Sequence, residues 1–329
     1  MNPVQEIVYP ILWLLLFPGL VFAGVMGLVI TWVDRKVTAR VQYRVGPPWY
    51  QPFADVVKLL GKETIVPAGA SRLAFFGAPL VAISAAALIS AMTWVAFIWP
   101  QRGFSGDIFV LLYLLVLPSL ALVLGGAAAR NPLAAVGASR EMKLILAYEL
   151  PFVLALASVI VKAGNAIRLG DIFAAQETWP FLGSISGVLA LVVLFLVTQA
   201  KLGLVPFDQA EAETEIMGGA LIEYSGAALA AFKLAKAMLY FTLPVFVTFL
   251  LMGGVQTRFD GVLYVDTLKI IWRIVAVLLL VVGIVVVRNT NPRVRIETAV
   301  RFFWGPVSFL AVAAAALAAI GKTYGIWWL

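Results

Sequence analysis

Residues 144–161 read Leu-Ile-Leu-Ala-Tyr-Glu-Leu-Pro-Phe-Val-Leu-Ala-Leu-Ala-Ser-Val-Ile-Val, eighteen residues with one charge, Glu149. As a helix this run rises about 1.5 Å per residue, so it covers most of a ~30 Å hydrocarbon layer. Seven further apolar runs lie on either side, at 8–33, 73–99, 108–129, 181–204, 224–252, 270–287 and 303–320. Backbone groups in hydrocarbon must bond within their own segment, so these runs are expected to be helices. A barrel would show alternating strands of about ten residues, and no such alternation is present. The predicted fold is therefore an all-α integral membrane protein: one polytopic domain, 1–329, holding a bundle of about eight transmembrane helices.

Composition agrees. Of 329 residues, 63% are hydrophobic and 12% charged, whereas a soluble domain is about half apolar and a quarter charged. The net charge of +7 is spread through short loops rather than along one face, which argues against a nucleic-acid partner. The chain has no Cys and no His. It therefore lacks thiolates for an iron–sulfur cluster and imidazoles for a metal or haem. Any redox centre is expected on a partner. Residues 1–9 carry no basic cluster, which argues against a cleaved signal peptide.

Lysine and arginine predict the orientation. The loops at 34–72, 130–143, 205–223 and 288–302, with Lys201 beside them, collect fifteen basic residues, against seven on the other side, including Arg258. The positive-inside rule makes these four long loops cytoplasmic and both termini extracytoplasmic. Trp94, Trp99, Trp327 and Trp328 fall at span ends, where interfacial anchors are expected.

The first of these loops contains Arg35, Lys36, Arg40 and Arg44, then a Gly46-Pro47-Pro48 break. Apolar residues follow at near-helical spacing, from Phe53 to Leu60, a pattern that predicts a short amphipathic helix at the interface. The charges serve either topology alone or a docking surface. The length of the loop favours docking, with Arg140, Arg293 and Arg295 joining from the other loops. The third loop is unusual. Asp208, Glu211, Glu213, Glu215 and Glu223 crowd the otherwise basic side. Helical spacing would put Glu211 and Glu215 on one face. Like charges so close raise one another's pKa on desolvation, as a proton pathway requires. A solvated acidic loop facing a basic partner fits the same charge pattern.

Ionisable groups inside spans are costly and usually functional. Glu149 lies in the fourth run with Glu141 at its mouth, and Lys233 and Lys236 lie in the sixth. These four, with the acidic loop, are the candidate proton or ion pathway.

At these residues the sequence resembles a known family, the H subunits of respiratory complex I and their relatives in energy-converting membrane hydrogenases. The matching stretches are D-R-K…R-V-Q-Y-R-V-G-P (34–47), Q-P-F-A-D-V-V-K-L-L-G-K-E (51–63), G-A-S-R-E-M-K-L-I-L-A-Y-E (137–149), P-F-D-Q-A-E-A-E-T-E (206–215), I-E-Y-S-G (222–226) and N-P-R-V-R (291–295). The resemblance implies a membrane anchor for a peripheral redox arm. Glu211, Glu213, Glu215 and Glu223 match the family's acidic loop, and Glu149 its buried acid. Arg35, Arg40 and Arg44 match the basic residues of its first loop. It also implies cytoplasmic iron–sulfur and hydrogenase-like partners, antiporter-like membrane subunits, and no cofactor on this chain, with a NiFe site on a partner in the hydrogenase branch.

Three departures from complex I point to the hydrogenase-type branch. Only Pro48-Trp49-Tyr50 separates the Gly-Pro from the Gln-Pro of the first loop, where complex I has a longer segment bordering its quinone entrance. Lys236 stands where complex I carries a glutamate. Gly137-Ala-Ser-Arg-Glu-Met and Glu215-Ile-Met-Gly-Gly also resemble that branch. The expected function is a coupling subunit of a ferredoxin-linked complex moving protons or sodium in a bacterial or archaeal cell membrane. The alternative is the quinone-binding H subunit of NADH-quinone oxidoreductase. A stand-alone transporter is disfavoured, because the sequence shows no inverted repeat.

Overall fold

The computed structural model describes residues 3–176, 179–253 and 263–329, with side chains from 9 onward except 263–266. Arg258 lies outside the described residues. The described chain is helical throughout: α1 (Pro3–Leu15), α2 (Leu20–Val41), α3 (Gln51–Leu60), α4 (Arg72–Ile98), α5 (Asp107–Leu114), α6 (Leu117–Ala128), α7 (Pro132–Lys162), α8 (Leu169–Ala174), α9 (Ile185–Lys201), α10 (Glu213–Ile216), α11 (Gly226–Met252), α12 (Leu263–Thr290), α13 (Ile296–Phe302) and α14 (Ser308–Tyr324). Among the described residues seven segments are long and apolar enough to cross a membrane, with α1–α2, α5–α6 and α13–α14 each counted as one. The eighth expected crossing, 181–204, is the shorter α9 of 17 residues.

Helix α11 forms the axis of the bundle. Apart from Lys233 and Lys236 it is apolar, and 89% of its most apolar window is buried, as expected of a helix enclosed by others. It packs against α2 and α4, while α7 packs against α6, α9 and α14. Phe75, Tyr148, Phe152, Phe246 and Phe303 are fully buried at these contacts.

Several boundaries differ from the sequence reading, each for a physical reason. The 130–143 stretch is not a loop. The Asn131 side chain accepts from the Leu133 N–H and Pro132 opens the helix, a strong start signal. With 31 residues, α7 reaches roughly 46 Å at the helical rise, well beyond the hydrocarbon. Arg140, Glu141 and Lys143 therefore ride on its first turns. Likewise α2 runs on to Val41, so Arg35, Lys36 and Arg40 are helical. The 108–129 run divides at residues 115–116 into α5 and α6, and a five-residue wide turn, Phe303–Val307, containing Pro306, joins α13 to α14. The amphipathic stretch after Gly46-Pro47-Pro48 is α3, with Val57 and Leu60 exposed. Trp94 is not a lipid-facing anchor. It packs among Phe22, Phe97, Phe241 and Phe249.

Candidate functional site

The four long connections meet at one end of the bundle and are tied together. Thr64 Oγ1 accepts from the Ala227 N–H at 3.2 Å, and Ser225 Oγ accepts from the Ile65 N–H at 2.9 Å, joining the first to the third. Asn131 Nδ2 donates to Glu223 Oε1 at 2.5 Å, and Arg140 pairs with Glu215, joining the second to the third. Arg293 Nε donates to the Asp208 carbonyl at 2.7 Å, and the Val294 N–H to the Pro206 carbonyl at 3.0 Å, joining the fourth. The third connection also lies flat on α7. The Ala220 N–H donates to the Ala210 carbonyl at 3.1 Å, and a Cβ at Gly137 would stand 2.6 Å from Ala220 N and 2.7 Å from Ala210 O. Only glycine permits that approach.

Beneath these connections is a cavity of about 540 Å³. Its lining includes Glu141, Lys201, Asp208, Glu211, Glu213, Lys233 and Lys236. Lys236 Nζ donates to Glu211 Oε1 at 2.8 Å. Lys201, at the end of α9, forms an ion pair with Glu149 and lies over the rings of Tyr148 and Phe152, 4.7 and 4.6 Å from their centroids. Glu141 is buried. The Tyr148 hydroxyl, about two helical turns further along α7, donates to Ser119 Oγ at 3.4 Å. The lining also includes Asp34, Arg35, Asp55, Tyr240 and Arg288. Arg288 Nη1 donates to Asp34 Oδ2 at 2.6 Å, and Arg35 Nη1 to Asp55 Oδ2 at 2.7 Å. Asp34 Oδ1 and the Tyr240 hydroxyl are both buried with no partner among the described residues.

Burial holds the Asp208 carboxyl above the usual carboxylate range. Lys236 and Arg293 oppose this, and Glu211 adds to it. Glu215 is held below that range by its hydrogen bond from Arg140. For Asp55, burial acts upward, but the hydrogen bonds from Arg35 and Gln51 outweigh it and the net shift is downward. The acidic connection thus has acids shifted in opposite directions, and burial rather than mutual repulsion is the main cause at Asp208.

Of the expected pathway residues, the fold brings Glu141, Asp208, Glu211, Glu213, Lys233 and Lys236 to the cavity, with Glu149 attached through Lys201. Glu215 and Glu223 stand apart on Arg140 and Asn131. Glu211 and Glu215 do not share a helical face: α10 begins only at Glu213, and the two acids bind different partners. Among the basic residues, Arg35, Arg140 and Arg293 are engaged within the chain, and Lys36 Nζ reaches the Gly46 carbonyl at 3.5 Å. Arg40, Arg44 and Arg295 are exposed. Lys201 belongs with the loop charges by sequence, yet its side chain is buried on the last turn of α9. Asp34, Arg288 and Tyr240 carry no local signal, since Asp34 and Arg288 are 254 residues apart.

Fold and site together define a multi-pass helical membrane protein with a charged chamber under a tied set of loops. A family model described as NADH dehydrogenase matches residues 14–319. The H subunit of an NADH-quinone oxidoreductase from Thermomicrobium roseum is 32% identical over 330 residues, covering 93% of this chain and 94% of that one. The protein of the same name from Geobacillus thermodenitrificans is 31% identical over 300 residues, with 88% of each chain covered. Among solved structures, a chain of the membrane-bound sulfane sulfur reductase, an archaeal respiratory membrane complex, superposes with a TM-score of 0.81 at 25% identity, covering 94% of this chain and 99% of that one. The chain belongs to the NADH dehydrogenase family of H subunits: it is a multi-pass cell-membrane component of a complex I-like membrane oxidoreductase complex.

Proposed function

We propose that this chain is the anchoring and coupling subunit of a ferredoxin-linked, hydrogenase-type complex that moves protons or sodium ions. The observation that carries this reading is the lining of the chamber. Among the described residues eleven ionisable acids and bases border the 540 Å³ cavity, and three Lys/Arg–carboxylate pairs lie in its lining, at Lys236–Glu211, Arg288–Asp34 and Arg35–Asp55. A quinone with an isoprenoid tail would strip water from these groups, and desolvating polar groups without new partners costs roughly 2–7 kcal/mol each. Protons and small ions instead exploit such a lining. In this reading the four tied connections face the cytoplasm, and Arg40, Arg44 and Arg295 meet peripheral iron–sulfur and hydrogenase-like subunits. Reduction in that arm shifts the 205–223 connection. The Lys236–Glu211 and Lys201–Glu149 pairs then exchange partners with Glu141 and pass charge toward antiporter-like membrane subunits.

The second reading, a quinone-binding subunit of NADH-quinone oxidoreductase, rests on the names of the relatives. A photoreactive quinone analogue added to the purified complex separates the two. Absence of specific labelling at Tyr50 and 205–223 supports the ferredoxin-linked reading, and saturable labelling there overturns it. Co-purifying subunits give an independent answer, since a nickel-site large subunit marks the first and flavin and NADH-binding subunits the second.

A further inference from the structure

At the end of the bundle away from the chamber, a second cavity of about 220 Å³ lies between the ends of α7 and α14. Lys162, Lys322 and Trp327 line it together with the apolar or small Ala318, Gly321, Gly325 and Ile326. Small residues leave it open, and its volume is many times the ~10–15 Å³ that admits one water. No acidic side chain is among its lining in the described residues. Lys201, Lys236 and Arg288 each hold a carboxylate, but among the described residues neither Lys162 nor Lys322 has one within 4.0 Å. Lys162 is half-buried, donates to Ser186 Oγ at 3.1 Å and lies 5.6 Å from the Trp327 ring centroid. An ammonium has three N–H donors, and a single hydroxyl partner leaves donors for a further acceptor. Trp327 at this cavity and Trp179, its ring centroid 5.5 Å away, are both exposed, and exposed tryptophans gather at the level of lipid headgroups.

We propose that this cavity binds the phosphate of a phospholipid headgroup, held by the ammonium groups of Lys162 and Lys322 with Trp327 against its glycerol end. Two cations without carboxylates, a cleft between membrane helices and an aromatic rim match a headgroup better than a soluble anion, because the acyl chains then follow the apolar faces of α7 and α14. Basic pockets between membrane helices take lipid headgroups in the same way.

The test uses the purified complex in phosphatidylcholine liposomes doped with photoreactive phosphatidylglycerol, reading the label on residues 318–329. The expected result is saturable labelling that falls about fivefold for each lysine removed, in Lys322→Gln and again in Lys162→Gln/Lys322→Gln. Lys322 is exposed and makes no hydrogen bond among the described residues, so the single variant decides the matter if the double one does not assemble. Unchanged labelling in Lys322→Gln overturns the proposal. So does displacement of the label by inorganic phosphate at the concentration where unlabelled phosphatidylglycerol displaces it, which would assign the site to a free anion.

Discussion

The ammonium of Lys201 on α9 is bound to the carboxylate of Glu149 on α7, the lysine side chain 2% exposed and the glutamate 21%. The pair bridges two helices. Removing one charge of a buried pair leaves the other uncompensated, at a cost of about 3–5 kcal/mol, whereas replacing both with apolar groups of like volume is often neutral. Glu149→Gln is therefore expected to lower the thermal midpoint of the purified complex, and Glu149→Gln/Lys201→Met to recover most of the loss. A double-mutant cycle on the midpoints measures the coupling. Simple additivity of Glu149→Gln and Lys201→Met would contradict an interacting pair.

Lys236 and Glu211 form a more open pair, with side chains 34% and 31% exposed. Solvent screening makes its contribution to stability small, so its removal is expected to show in coupling rather than in assembly. Lys236→Ala and Glu211→Gln should lower ion movement per turnover severalfold, with subunit composition on a native gel unchanged. Normal coupling in both variants would remove this pair from the pathway.

The spans are legible in the sequence because apolar runs of this length have one stable solution in a bilayer. Their ends are not. Charge at 140–143 reads as loop, yet a helix longer than the hydrocarbon carries its charges out into water. Lys201 reads as a loop cation because it closes an apolar run, where a lysine normally snorkels. Only the three-dimensional packing shows Glu149 opposite it. Glu211 and Glu215 have helical spacing, but Gly137 lets the 205–223 connection lie flat on α7, and flat backbone does not follow that spacing. The Asp34–Arg288 pair joins the first and seventh expected spans, a relationship without a local pattern.

Asp208 gives a dependence on pH. Burial raises its pKa above the unfolded value of 3.8, so the folded state holds the proton more tightly than the unfolded chain. The resulting destabilisation is fully present above the folded pKa and disappears as pH falls below the unfolded one. Asp208→Asn is therefore expected to raise the thermal midpoint at alkaline pH, with the advantage shrinking as pH is lowered toward 4. An advantage that grows on acidification would mean that the sign, and hence the burial argument, is wrong.

Gly137 tests the seating of the acidic connection on α7. Within a helix, Gly→Ala ordinarily stabilises by about 0.5–1 kcal/mol, because alanine loses less backbone entropy. Gly77 on α4 is such a position, since an added Cβ there meets nothing within 4 Å. At Gly137 the same Cβ meets backbone atoms of Ala220 and Ala210 at 2.6 and 2.7 Å, and backbone in a tied loop cannot swing aside as a side chain can. Overpacking of this kind costs about 1–3 kcal/mol, which exceeds the helix gain. Gly77→Ala should thus raise the midpoint slightly while Gly137→Ala lowers it and exposes residues 205–223 to proteolysis. Because both substitutions add the same methyl to the same kind of helix, opposite signs isolate the close approach as the cause. Equal signs would show that the connection is free to lift from α7.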